Sequence, residues 1–321
     1  MTTYGYTLSS EEHAPSELVG LARRAEAVGF DFLTVSDHFH PWVQSQGHSP
    51  FVWSVLGAVA SVTDRVQVGV GVTCPIMRIH PAIVAHAAAT CSLLLDGRFF
   101  LGVGTGEALN EHIVGRHWPV PEIRREMLAE AIDVMRQLWT GETVDHHGPH
   151  FTVENARLFD PPEVQVPVVV SAFGTDAAEE LAPLADGYWG TSPDPELLTT
   201  YAQAGGGGPR IGQVTVCWAS DTDVARATVH ARWPNSGLPG QLAQDLPTWT
   251  HFEQATSVLS IEQTTEHIPC GKAVEPVLEQ VSTYVDAGYD QLHFHQIGDD
   301  QRGFLDFWVD ELGPALAAEG L

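Results

Sequence analysis

The sequence predicts a single-domain (β/α)8 barrel, an α/β fold of the TIM type. Three observations lead there. Eight short apolar, β-rich runs punctuate the 321 residues, and amphipathic helical stretches separate most of them. Alternating βα units imply a parallel sheet, and eight of them close a barrel. The chain shows neither internal repeats nor a linker, and α/β barrels of this length form one domain.

The elements follow in order. Thr3–Leu8 reads as the first strand. Pro15 opens a helix where its missing N–H costs nothing, Leu18, Leu21, Ala22, Ala25 and Val28 follow at helical spacing, and Gly29 closes it. Strands are predicted at Asp31–Ser36, Arg65–Val72, Arg98–Val103, Val166–Ser171, Gly187–Thr191, Gly212–Ala219 and Gln291–Gln296. Helices are predicted at Phe51–Ala60, Pro81–Leu95, Pro121–Trp139 and Thr175–Ala185, with a last one from Phe304. Thr143–Leu158 reads as a hairpin, and Gly205–Gly208 as a turn before the seventh strand. Residues 232–275 carry too weak a pattern for a strand and too many residues for a loop. They are expected to form a helical insertion between strands 7 and 8 that covers the barrel mouth.

Composition excludes several classes of partner. Fifteen Lys and Arg face 41 Asp and Glu, a formal net charge of −26, which disfavours nucleic acid and anionic membranes. Lys272 is the only lysine, so an anionic ligand has to be held by Arg, His, backbone N–H groups or helix N-termini. Cys74, Cys91, Cys217 and Cys270 lack CxxC spacing, and the N-terminal segment lacks a basic and an apolar region. Those two features predict a reduced, cytoplasmic protein with no membrane span.

In such a barrel the site lies at the C-terminal strand ends. Strand 2 runs into Ser36-Asp37-His38-Phe39-His40-Pro41-Trp42, an acid–imidazole pair suited to proton transfer and equally compatible with a surface loop. Strand 3 ends in Gly71-Val72-Thr73-Cys74-Pro75, a close-approach site or a plain turn. Strand 4 ends in Gly102-Val103-Gly104-Thr105-Gly106-Glu107-Ala108-Leu109-Asn110. This is neither GxGxxG, because Glu107 takes the third glycine position, nor a P-loop. It puts Glu107 at the mouth, as an acid or a helix cap. Ser171-Ala172-Phe173-Gly174-Thr175-Asp176 opens a helix and offers an anion cradle, or ordinary capping. The groups His38/His40, His146/His147/His150 and His293/His295 lack HExxH spacing, so no metal site is predicted, and no G-x-S-x-G elbow is present.

Ser36-Asp37-His38, Gly102 to Glu111 and Leu138-Trp139-Thr140-Gly141-Glu142 resemble the bacterial luciferase-like superfamily, and within it the F420-dependent glucose-6-phosphate dehydrogenase family. The resemblance runs from the first strand to Leu305 and is weakest over residues 204–270. It implies coenzyme F420, with FMN as the alternative, and a homodimer. It implies that Asp37 and Asn110 contact the deazaflavin, that His38 is the base, that Trp42 stabilises charge at the reacting centre, and that Glu107 is the acid. Gly71-Val72 matches a non-prolyl cis peptide behind the ring system. Cys74, Thr105 and Gly106 fall in the same cofactor-binding segments, and Ser171, Ala172, Phe173 and Gly174 match the backbone that binds the cofactor phosphate.

The match fails where that family binds the sugar phosphate. Asp194 stands at a lysine position, and Glu266-His267 stand where a Lys-Arg pair is found. At an effective dielectric near 20, like unit charges about 4 Å apart repel by ~4 kcal/mol. The expectation is therefore a hydride transfer between deazaflavin and a neutral or cationic alcohol or carbonyl compound, with glucose 6-phosphate excluded. The competing expectations are an F420-dependent imine or enoate reductase, an FMN-dependent monooxygenase, and a non-catalytic cofactor-binding protein.

Overall fold

A computed structural model describes residues 2–321. Eight parallel strands close a barrel in chain order: β1 (Thr3–Leu8), β2 (Phe32–Val35), β3 (Gln67–Thr73), β4 (Phe99–Val103), β5 (Val168–Ser171), β6 (Gly187–Gly190), β7 (Arg210–Val216) and β8 (Gln291–Gln296). β1 completes the ring by pairing with both β2 and β8. Helices follow the strands on the outside. The predicted hairpin is present as two antiparallel strands, Val144–His147 and Thr152–Ala156.

Aromatic side chains fill the inside of the barrel because glycines on neighbouring strands leave them room. A Cβ on Gly5 would lie 2.5 Å from the Phe32 ring, one on Gly69 2.2 Å from Phe100, and one on Gly71 2.3 Å from Trp189. Phe32, Phe100, Val169, Trp189 and Ile211 thereby form a buried layer inside the barrel, most of it toward the N-terminal strand ends. Above them His293 is fully buried, its Nδ1 2.7 Å from the Thr7 hydroxyl and its ring against Trp189.

Several boundaries differ from the sequence reading. β3 starts two residues late because the Glu26 carboxylate binds the N–H groups of Asp64, Arg65 and Val66 before pairing begins. β7 starts at Arg210, which pairs with Tyr188. It stops at Val216, and the backbone of Cys217 pairs instead with the segment around Cys270, both cysteines remaining free thiols. The last helix starts at Gln301, with Asp300 accepting the Gly303 N–H, and a π turn at Trp308–Leu312 interrupts it. Helices Pro195–Gln203, Thr222–Arg232 and Glu275–Ala287 were not foreseen. The weak segment between the last two holds short helices at Leu242–Asp245, Trp249–Thr256 and Ile261–Thr265. Among the described residues no helix is long and apolar enough to cross a membrane.

Candidate active site

The ends of β1 to β4 bring the chemistry-bearing residues together. His38 leaves β2 and meets Glu11 from the loop after β1, with Nδ1 and Oε1 2.6 Å apart. Glu11 is buried, and its other oxygen accepts the hydroxyls of Ser36 at 2.7 Å and Ser9 at 3.1 Å. Burial alone would depress the imidazole's pKa, but the Glu11 carboxylate outweighs it and lifts His38 to about 9. Burial likewise pushes Glu11 up, and the imidazolium reverses that, holding the carboxyl down at about 2. With Nδ1 committed to Glu11, Nε2 is the ring nitrogen left to a ligand.

Trp42 packs edge-on to His38, ring centroids 5.0 Å apart. Behind Trp42 lies Phe252 from the Trp249–Thr256 helix, 5.1 Å away and fully buried together with Val43 and Leu109. The insertion therefore supplies the backing for this indole. A further tie comes from Trp233, whose Nε1 donates to Glu12 Oε2 at 2.7 Å.

Glu107 sits at the N-cap of the four-residue helix Ala108–Glu111 but makes no capping hydrogen bond there. Its carboxylate has one weak protein contact, Asn110 Nδ2 at 3.5 Å, and is half-buried at the mouth. It is thus free for a ligand.

The other predicted residues of this half also have partners within the protein. Asn110 is buried, and its amide oxygen accepts the N–H groups of Phe39 at 2.8 Å and His40 at 3.0 Å, so it braces the His38 loop. Asp37 is buried, with Oδ2 accepting the Thr73 hydroxyl at 2.5 Å and Oδ1 2.9 Å from Arg78 Nη2. Cys74 is buried under Gly106, where a Cβ would lie 2.6 Å from Sγ, and burial raises its thiol pKa. Gly106 has φ +71, a conformation that glycine adopts without strain. The Gly71-Val72 peptide is cis.

On the opposite side, Ser171 and Ala172 are buried while Phe173 and Gly174 are exposed. Gly174 is the N-cap of helix Thr175–Leu181, has no side-chain cap, and has open space where a Cβ would be. Asp194 caps helix Pro195–Gln203 by accepting the N–H groups of Glu196 and Leu197. Glu266 and His267 are exposed, and Glu266 lines a separate cleft of about 290 Å³ with Arg226, Glu262 and Cys270. Asp194 and His267 are not among the residues lining that cleft.

Sequence reasoning missed Glu11 and Arg78. A signal for Glu11 was present: Ser9-Ser10-Glu11-Glu12-His13 is a polar strand-end segment directly after β1. The hairpin histidines have structural partners, His146 with Glu130 at 2.9 Å and His150 with Glu126 at 3.3 Å.

The luciferase-like monooxygenase family model matches residues 2–291. An F420-dependent glucose-6-phosphate dehydrogenase of Rhodococcus erythropolis is 37% identical over 330 residues, covering 98% of this chain and 98% of that protein. One of Mycobacterium tuberculosis is 35% identical over 331 residues, again with 98% of each covered. A solved F420-dependent secondary alcohol dehydrogenase in complex with an F420-acetone adduct matches with a TM-score of 0.89 at 28% identity, over 98% of this chain and 99% of that one. The coenzyme F420 dependent tetrahydromethanopterin reductase of Methanopyrus kandleri matches in fold, with a TM-score of 0.76 at 19% identity over 98% and 99%.

Proposed function

The chain belongs to the luciferase-like monooxygenase family, and we propose that within it the protein is an F420-dependent oxidoreductase that interconverts a neutral alcohol and its carbonyl compound, not glucose 6-phosphate. The observation that carries this reading is the Glu11–His38 pair, which leaves one imidazole nitrogen open beside Trp42 and across from the unengaged Glu107.

The residues suit the cofactor. The uncapped turn at Gly174 offers backbone N–H groups and space to a phosphate, as lysine-free anion binding requires. Gly71, Val72, Thr105 and Gly106 line the mouth without being fully buried, so a planar ring can rest against them. When bound, F420 supplies the hydride acceptor or donor. The chain's own residues manage protons and position. His38 exchanges the proton of the substrate oxygen through Nε2, Glu11 fixes the ring's orientation, and Trp42 walls the reacting centre. Glu107 holds a proton or a negative charge facing the cofactor.

Charge argues against an anionic substrate. Three arginines around these loops already face carboxylates: Arg78 faces Asp37 and Glu111, Arg232 faces Asp299, and Arg226 faces Glu262, whereas the buried Arg124 has no ion pair among the described residues and donates to Gln244 Oε1 at 3.3 Å. Asp194 and Glu266 add negative charge at the family's lysine positions. The test is a steady-state comparison with F420. Short secondary alcohols and ketones should exceed glucose 6-phosphate in kcat/KM by at least about 100-fold. Efficient turnover of glucose 6-phosphate sinks the reading. With His38 held near 9, carbonyl reduction should fall above about pH 9, while alcohol oxidation should rise toward a plateau there.

A further inference from the structure

One buried cation lies between the strand ends and has no part in the proton scheme above. Arg78 sits in the turn after β3, flanked by the buried Ile76, Met77 and Ile79. Its side chain is 7% exposed and meets two carboxylates that are each 1% exposed. Nη2 is 2.9 Å from Asp37 Oδ1, and Nε is 3.4 Å from Glu111 Oε1. The backbone tightens both joints. The Arg78 N–H donates to Glu111 Oε2 at 2.8 Å, and Nη2 donates to the Asp37 carbonyl at 3.3 Å.

Asp37 directly precedes His38 at the end of β2, and Glu111 closes the segment that carries Glu107 at the end of β4. A guanidinium offers several donors in a fixed plane and can bind two acceptors at once, whereas an ammonium is a single point charge. Two carboxylates buried this close need a cation between them, because neither has water to screen the other.

We propose that Arg78 is a positioning residue: a single buried guanidinium that ties the end of β2 to the end of β4, and so sets the separation across which His38 and Glu107 act. The proposal rests on the reading of this mouth as the F420 site.

Charge in the cluster is finely balanced. The groups facing Glu111 are Arg78, Glu107, Asp37 and the Cys74 thiol. Those facing Asp37 are Arg78, Glu111 and His38. Burial outweighs Arg78 at Glu111 and raises its carboxyl to about 7. Arg78 is the group that lowers it, so without Arg78 the Glu111 carboxyl would rise further, and Asp37 and Glu111 would repel most toward alkaline pH and least at pH 6.

The experiment compares wild type, R78K, R78M and R78M/E111Q for F420 affinity, kcat and KM between pH 6 and 9. Breaking a buried pair predicts that R78M loses kcat by at least about 30-fold and F420 affinity by at least about 10-fold at pH 8, with both losses shrinking at pH 6. R78K, keeping the charge but not the fork, should lose kcat about fivefold with little change in F420 affinity. Removing the second carboxylate in R78M/E111Q should recover at least about threefold of the lost affinity at pH 8. Wild-type kcat in R78K or R78M overturns the proposal, as does a double variant no better than R78M. If R78M fails to fold, the kcat of R78K decides. A wild type that binds FMN and not F420 overturns the cofactor reading alone, and the same series then judges Arg78 with FMN. A wild type that binds neither ends both.

Discussion

At the ends of β1 to β4, Glu11, Asp37, Asn110 and Glu111 are buried with their polar atoms engaged by the protein itself, whereas at the end of β5 the segment Phe173–Thr175 is exposed and its helix starts without a cap. The first half of the mouth is pre-organised around His38, whose ring Glu11 holds in place before a ligand arrives. The second half leaves backbone donors open. On the proposed reading the contrast is a division of labour, with proton chemistry on one side and ligand anchoring on the other. Preorganisation of this kind lowers the reorganisation needed at the moment of reaction.

The comparison can be broken hardest at His38. His38→Ala should lower kcat by about 100- to 10,000-fold while F420 still quenches tryptophan fluorescence with nearly the wild-type Kd. Equal losses in kcat and binding would mean that the two halves are not separate in role.

Glu11→Gln comes next, with an expected kcat loss of about 10- to 100-fold and a pH profile whose upper limb moves down from about 9 toward the ordinary imidazole range. Stability should follow the same pair. The raised His38 stabilises the fold fully below about 6.5 and loses that contribution as pH rises through about 9. The lowered Glu11 stabilises above about 4.5 and loses its share as pH falls through about 2. Urea unfolding should therefore separate wild type from variant most between about pH 4.5 and 6.5. A gap that stays constant up to pH 10 would rule out the ion pair as its cause.

The second half is probed by Gly174→Asp. The position has an extended φ of −152 and open space, so the new side chain can cap the helix without strain. The melting temperature should hold or rise, while its negative charge weakens F420 binding by about 10-fold. Unchanged affinity would move the phosphate elsewhere. The smallest effect is expected from His146→Ala, on the hairpin far from either half. Losing its hydrogen bond to Glu130 should cost about 0.5 kcal/mol in urea unfolding, with kcat unaltered.

These regions also differ in how readable they were. The eight strands and the residues His38, Trp42 and Glu107 stand out because each follows a strongly apolar run and carries its own chemical signature. Glu11 and Arg78 do not, because their meaning depends on partners 27 and 41 positions away, and only the pairing of neighbouring strands supplies those partners. Asn110 illustrates the same limit. Its position was legible, but whether its amide faces a ligand or the N–H groups of Phe39 and His40 is settled by loop packing alone. The helices after β6 and β7 escaped notice because Pro195–Gln203 and Thr222–Arg232 are short and mixed in character beside their neighbours.

The glycine–aromatic pairs inside the barrel constrain how this protein can change. Gly5 with Phe32, Gly69 with Phe100 and Gly71 with Trp189 are complementary in volume, so neither member can be exchanged for a larger or smaller residue alone. Enlarging a glycine by itself drives a methyl group into a ring, and trimming an aromatic by itself opens a void that costs about 3–5 kcal/mol. Altered descendants of this barrel, natural or engineered, would have to move two positions together. The floor should thus persist as a fixed platform while the loops above it diverge toward new substrates.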